Sequence, residues 1–288
     1  MSKARPFILW TITIIITVSA MIYQRATGPT KPRRVQVEFE GVNYKFSLPR
    51  TSEIGTPLNV DLQIDDKDVQ AVIEYKLYRT SQAWTKMIMP IVTAQEKVFF
   101  GEGDPIEVRR VVLPEQAAAG KIEYKISLVK GNEMLSITPD KPTVIRWKGF
   151  VPRPILIPHV LFMIFALFFA TRGGVEAVFN GNNTRKFARI TVISLGMGGL
   201  VLGPIVQKYA FGDYWTGWPF GGDWTDNKTI ISWAFWVIAF VILGKKPQNK
   251  LWPIIATLVL FTIYLIPHSM GGSELNNETG KVETGLKK

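Results

Sequence analysis

The residues best suited to chemistry in this chain are two histidines and three aspartates. His159 and His268 are the only imidazoles among 288 residues. Each follows a proline, Pro158 or Pro267, and each lies at one end of a long apolar run. Opposed histidines on separate membrane helices ligate a b-type haem, and a single one binds quinone or relays a proton. Asp213, Asp223 and Asp226 stand in the segment 209–229, YAFGDYWTGWPFGGDWTDNKT, among Trp215, Trp218 and Trp224. Gly212, Gly217, Pro219, Gly221 and Gly222 preclude a regular helix there, so the segment reads as an ordered re-entrant or interfacial loop whose polar backbone is satisfied by protein or water. Its aromatic rings suit a membrane interface, and Thr225-Asp226-Asn227 suits a helix cap. Asp213 and Asp223 among glycines point further, to a ligand, cofactor or partner helix packed on the loop. A carboxylate beside His159 would also orient the imidazole and raise its basicity. The ligand count is too low to assign a metal site, and no catalytic set is assigned.

Composition narrows the classes. Cysteine is absent, which removes disulfides, thiolate zinc sites, Cys-held iron–sulfur clusters and thioether-attached haem. The net charge is +11. The basic residues flank apolar runs, where they orient helices, and no nucleic-acid motif accompanies them, so the expected partner is a lipid bilayer and not a nucleic acid.

The elements that must position these residues are five apolar runs, 7–23, 154–171, 187–207, 229–244 and 251–267, read as membrane spans. Arg172, Arg185, Lys186 and Arg189 follow the second, with Glu176 alone opposing them. Lys245, Lys246 and Lys250 lie between the fourth and fifth. These short basic connections belong in the cytoplasm of a plasma (inner) membrane. The N-terminus is then cytoplasmic, and residues 25–153, the loop 209–228 and the C-terminus are extracytoplasmic. Arg25, Lys31, Arg33 and Arg34 after the first run oppose this order, but long domains translocate largely regardless of charge. Residues 1–24 form a retained anchor, with a signal peptide cleaved after Val18-Ser19-Ala20 as the alternative. Gly199 and Gly203 in the third run have the small-xxx-small spacing of close helix packing, against another span or a separate subunit; Gly196 extends the stripe, and Pro204 predicts a kink. Lys, Arg, Asp and Glu are absent from the middle of all five runs, which argues against ion-coupled transport.

Within 25–153, residues 35–148 alternate as half-buried strands do, for example Leu58–Ile64, Val72–Tyr78 and Ile122–Leu128, with turn signals at Gly41, Gly55, Gly101, Gly120 and Gly131. Seven or eight such strands predict a β-sandwich. The stretch from Leu113-Pro114 through Gly120 to Tyr124 resembles the E–F corner of immunoglobulin-like or fibronectin-like sandwiches, a likeness confined to that local pattern. Trp84 and the Phe99-Phe100 pair are expected in its core, with a surface for a partner as the alternative.

The fold class is therefore a mixed membrane protein: an N-terminal helix, an extracytoplasmic immunoglobulin/fibronectin-like β-sandwich, and a four-helix transmembrane bundle at 154–270, followed by a polar tail at 271–288. The expected function is a non-enzymatic subunit or scaffold of a membrane complex, with the sandwich binding a protein partner in the membrane or periplasm. The alternatives are a redox subunit holding haem b or quinone through His159 and His268, and a membrane enzyme acting on lipid or envelope substrates.

Overall fold

The computed structural model describes residues 4–96, 101, 103–266 and 272–284. The chain divides into two compact units: Met1–Gly28, Phe150–Glu274 and Val282–Lys288 form one, and Pro29–Gly149 with Leu275–Lys281 the other.

The first unit is helical. Helix α1 (Ala4–Thr27), α2 (Arg153–Val178), the run Thr184–Phe211 and α5 (Trp224–Lys245) are each long and apolar enough to cross a membrane. The run Thr184–Phe211 joins α3 (Thr184–Leu195), a π-helical stretch (Gly196–Leu202) and α4 (Gly203–Phe211). The fifth expected span is shorter. Helix α6 (Leu251–Leu265) has 15 residues, about 22 Å at 1.5 Å per residue. Ile266 leaves it with extended backbone, the conformation that a following proline favours.

Two other boundaries differ from expectation. The second span does not end at 171 but runs on to Val178, so Arg172 and Glu176 are helical residues, not loop residues. The irregularity expected at Pro204 sits in the turn before it. Pro204 follows directly on helical residues and cannot donate to their ladder, and the chain widens into π geometry just before it, over Gly196–Leu202.

Glycines set the helix approaches. An ideal Cβ on Gly199 would lie 2.2 Å from Thr229 Cγ2, one on Gly198 2.8 Å from Phe162 Cβ, and one on Gly174 2.4 Å from Thr257 Oγ1. Gly196 is looser, 3.3 Å from Trp233 Nε1, and Gly203 meets nothing nearer than 3.4 Å. Close packing within the chain thus uses Gly198 and Gly199, while Gly203 has no comparably tight neighbour among the described residues. Helix α1 is tied into this unit: Trp10 stacks on Phe168 at 5.6 Å, and the Tyr23 hydroxyl donates to the Leu265 carbonyl at 2.9 Å. Gln24 Nε2 donates to the Tyr264 carbonyl.

The second unit is β-rich. Strands β1 (Arg33–Phe39) and β2 (Val42–Leu48) pair antiparallel across Glu40-Gly41, both at positive φ. A six-stranded sheet runs β3 (Thr51–Glu53), β11 (Thr143–Lys148), β9 (Lys121–Lys130), β5 (Gln70–Leu77) and β6 (Thr85–Ile88), with β10 (Glu133–Ser136) also on β9. A three-stranded sheet runs β4 (Leu58–Leu62), β8 (Pro105–Leu113) and β7 (Ile91–Gln95). Strict alternation puts Ile122, Tyr124, Ile126 and Leu128 of β9 in one core with Val60 and Leu62 of β4, Leu113 of β8 and Trp147 of β11. The buried Arg109 guanidinium donates to the carbonyls of Asp66, Lys67 and Val69, closing the turn after β4. A last hairpin pairs β12 (Ser273–Leu275) with β13 (Val282–Thr284), so the tail carries secondary structure that its polarity did not announce; Ser273, Glu274 and β13 belong to the first unit.

Candidate functional site

The aromatic loop is built on the first turn of α5. Asp223 is the N-cap, accepting from the Thr225 N–H at 2.8 Å through Oδ1, and Asp226 follows in the first turn. Both carboxylates suit the positive end of the helix. Asp226 turns away from its own helix: Oδ2 accepts the backbone N–H groups of Thr216 at 2.7 Å and Gly217 at 2.9 Å. Asn227 Oδ1 accepts the next, Trp218 N–H, at 2.7 Å. Three successive loop amides are therefore held by α5. The Thr216 hydroxyl lies 3.0 Å from Asp223 Oδ2, receives Gln207 Nε2 at 2.7 Å, and meets Ser273 Oγ at 3.3 Å.

Gly217 must be glycine here, because a Cβ would fall 2.5 Å from Asp226 Cβ. Gly212 takes the left-handed conformation that ends α4, and Lys208 Nζ contacts its carbonyl. The Trp218–Pro219 peptide is cis. The polar groups turn inward, and the rings turn out: Trp218 and Phe220 are 69% and 83% exposed, and Tyr214 and Trp224 are exposed as well. Trp215 is the exception, half-buried with its indole N–H donating to the Trp218 carbonyl at 3.0 Å.

The expected site residues thus divide. Asp223 and Asp226 come together, buried, with Trp218 and Trp224 beside them on the surface. Asp213 takes no part in the network. Neither aspartate touches His159, whose Nδ1 lies 2.8 Å from the Gly198 carbonyl in the π-helical stretch. A carbonyl only accepts, so Nδ1 donates this bond, and Nε2 is the ring nitrogen that it does not use. His268 lies outside the described residues, as does the Phe99-Phe100 pair. Among the described residues no group of three or more His, Asp and Glu side chains gathers as for a metal. Sequence reading missed Thr216, Gln207 and Ser273. Only the Asx-rich turn Asp223–Asn227 announced the network, and it did so as a helix cap.

A second cluster was not anticipated. Arg172 and Glu176 are both 4% exposed, one turn apart on α2, with Nη1 and Oε2 2.5 Å apart. The guanidinium lies between the rings of Trp10 and Phe187, 4.8 Å from each centroid. Glu176 Oε1 accepts the Asn183 N–H at 3.2 Å. Arg172 therefore adds no net charge to the loop that it was expected to make basic, and Arg185, Lys186 and Arg189 carry that role alone.

A third feature lies on the outward face of the six-stranded sheet. Register places Lys76 opposite Glu123, Glu74 between Lys86 and Lys125, and Arg146 opposite Lys121. Trp84, expected in the core, is only half-buried and lies among these cations, with Lys125 Nζ 4.3 Å and Lys76 Nζ 5.1 Å from its ring. It lies in the connection between β5 and β6, outside either strand, with its ring against Lys76 and Lys125 of the outward face. Comparison with protein-family models, with curated proteins and with solved structures returns no match.

Proposed function

We propose that this chain is a non-enzymatic component of a membrane complex, with residues 25–153 forming an immunoglobulin-like β-sandwich that binds an acidic protein partner on the extracytoplasmic side. The strand order supports the sandwich. β4, β8 and β7 stand as strands B, E and D, and β11, β9, β5 and β6 as G, F, C and C′, with β3 parallel to β11 at the edge. The observation that carries the reading is the outward face of β11, β9, β5 and β6. Lys76, Lys86, Lys121, Lys125, Arg146 and Lys148 share it with Glu53, Glu74 and Glu123, around the partly exposed Trp84. A basic rim about an aromatic anchor is the composition of a protein-recognition patch for an acidic surface.

Asp223 and Asp226 of the aromatic loop favour this reading over catalysis. Both oxygens of Asp223 and Oδ2 of Asp226 are engaged by backbone and hydroxyl groups that hold the loop. A photo-reactive residue at position 86, in the full chain in native membranes, is expected to cross-link one partner. The charge reversals Lys121→Glu and Lys125→Glu together should abolish that product, and raised salt should weaken it. A cross-link pattern unmoved by the reversal refutes the proposal. Sidedness is tested with single cysteines at 86 and 250 in this cysteine-free chain. An impermeant maleimide applied from outside should label the first and spare the second.

One observation favours a second reading, a haem b or quinone site at His159. Its Nδ1 is fixed on the Gly198 carbonyl, the outer-shell arrangement that orients a ligating imidazole through Nε2. Protein expressed with haem supplied would then show a Soret band lost in His159→Ala, and no band in the wild type ends that version.

A further inference from the structure

A cavity of about 360 Å³ lies along one side of the helical unit, between α1, α2 and α6. Ile12 and Ile16 of α1, Val175 and Val178 of α2, and Ile254 and Leu258 of α6 line it. Each pair is spaced by three or four residues, so three helical stripes face one trough. Leu258 is 61% exposed and Val178 and Phe179 are exposed too, so the trough opens sideways and not into the core. Two hydroxyls border it, and both are already used. Thr171 Oγ1 donates to the Leu167 carbonyl at 2.8 Å, and Thr257 Oγ1 to the Pro253 carbonyl at 2.7 Å. The trough offers an occupant only hydrocarbon.

In a bilayer, moving an acyl chain from lipid into such a trough gains little from apolar contact alone, since both surroundings are hydrocarbon. What selects the occupant is its head group. Lys250 is the N-cap of α6, one turn before Ile254, and Lys245 and Lys246 precede it, all exposed. Arg5 stands at the matching end of α1, two turns before Ile12. No Asp or Glu occurs in 1–37 or 227–273, and the sole acid of α2 and α3, Glu176, is paired with Arg172. The end of the trough is therefore positive without local opposition.

We infer that this trough holds one acyl chain of an anionic phospholipid, whose phosphate sits against Lys250 and the neighbouring basic residues. The trough corresponds to about a dozen methylene groups, taking each as near the ~30 Å³ of a water molecule. Each basic residue near a membrane surface favours an anionic lipid by about fivefold, so three together give a preference of about a hundredfold.

The test uses the full chain, delipidated in detergent and exposed to mixed phosphatidylglycerol and phosphatidylcholine, with retained lipid counted by native mass spectrometry. The wild type should keep one phosphatidylglycerol in preference to phosphatidylcholine. Replacing Lys245, Lys246 and Lys250 by Gln should remove the preference, and Leu258→Trp should remove the retained lipid by filling the trough. Leu258 points out of the core, and an unchanged melting temperature checks that the variant folds. In parallel, Leu258→Cys in the cysteine-free chain should react with a membrane-soluble maleimide more slowly in phosphatidylglycerol than in phosphatidylcholine. Equal retention of both lipids, undiminished retention in Leu258→Trp, or a disulfide between two copies of the Leu258→Cys chain overturns the inference.

Discussion

Removing the Asp226 carboxylate should release the aromatic loop while leaving the helices in place. In Asp226→Ala, the N–H groups of Thr216 and Gly217, now bonded at 2.7 and 2.9 Å, lose their acceptor. Both residues are buried, and each buried donor left unpaired costs about 1–3 kcal/mol. The loop therefore loses about 2–6 kcal/mol, partly relieved if water enters. Taking about 4 kcal/mol, and 1.36 kcal/mol per tenfold, opening of the segment becomes about a thousandfold more frequent. Hydrogen–deuterium exchange of the full chain in nanodiscs, read on the peptide covering 212–222, measures this directly. Protection should fall by two to four orders of magnitude there and stay unchanged within α2 and α5. Asp213→Ala is the control, because Asp213 takes no part in the network. Unchanged protection in Asp226→Ala, or an equal loss in Asp213→Ala, refutes the claim that the carboxylate holds the loop.

Gly199→Ala should destabilise the helical unit by about 1–3 kcal/mol through overpacking against Thr229 Cγ2, while Gly203→Ala stays near neutral. Thr229→Ser, which deletes that methyl, should restore stability to Gly199→Ala in detergent thermal unfolding. Glu176→Gln should cost about 3–5 kcal/mol by leaving the Arg172 charge buried and unpaired, whereas the double change Arg172→Leu with Glu176→Leu should cost far less. In the β unit, Asp66 bonds Lys130 Nζ at 2.8 Å and the Asp68 N–H, which hold its carboxyl below the ordinary 3.8. Its contribution is thus full above pH 3.8 and lost as the pH falls through the lower folded value. Melting temperatures of Asp66→Asn should lie below those of the wild type at neutral pH and converge with them in acid.

Apolar runs and strand alternation were legible in the sequence because each depends on local periodicity. The pattern of Lys121–Lys130 marks buried and outward residues one by one, and the run from Ile230 to Leu243 needs no tertiary information to be a helix. The cap at Asp223–Asn227 was legible for the same reason. Long-range partners were not. Arg172 read as a loop charge, because hydropathy falls at Thr171-Arg172-Gly173-Gly174 and nothing local tells that Trp10 and Phe187 enclose the guanidinium. Ser273 was read as part of a polar tail, yet it reaches Thr216 fifty-seven positions away. The glycine stripe was recognised but displaced. Spacing alone favours Gly199 and Gly203, whereas the π-helical stretch rotates Gly198 and Gly199 onto their neighbours.

The brevity of α6 shapes the lipid around it. About 22 Å of helix beside longer companions falls roughly 8 Å short of a hydrocarbon layer about 30 Å thick. Each ångström of mismatch costs a fraction of a kcal/mol, so lipid on that flank should dimple towards the helix ends while lipid elsewhere keeps its depth. The protein would then sort into thin regions of its membrane and lose stability in reconstituted bilayers of longer acyl chains.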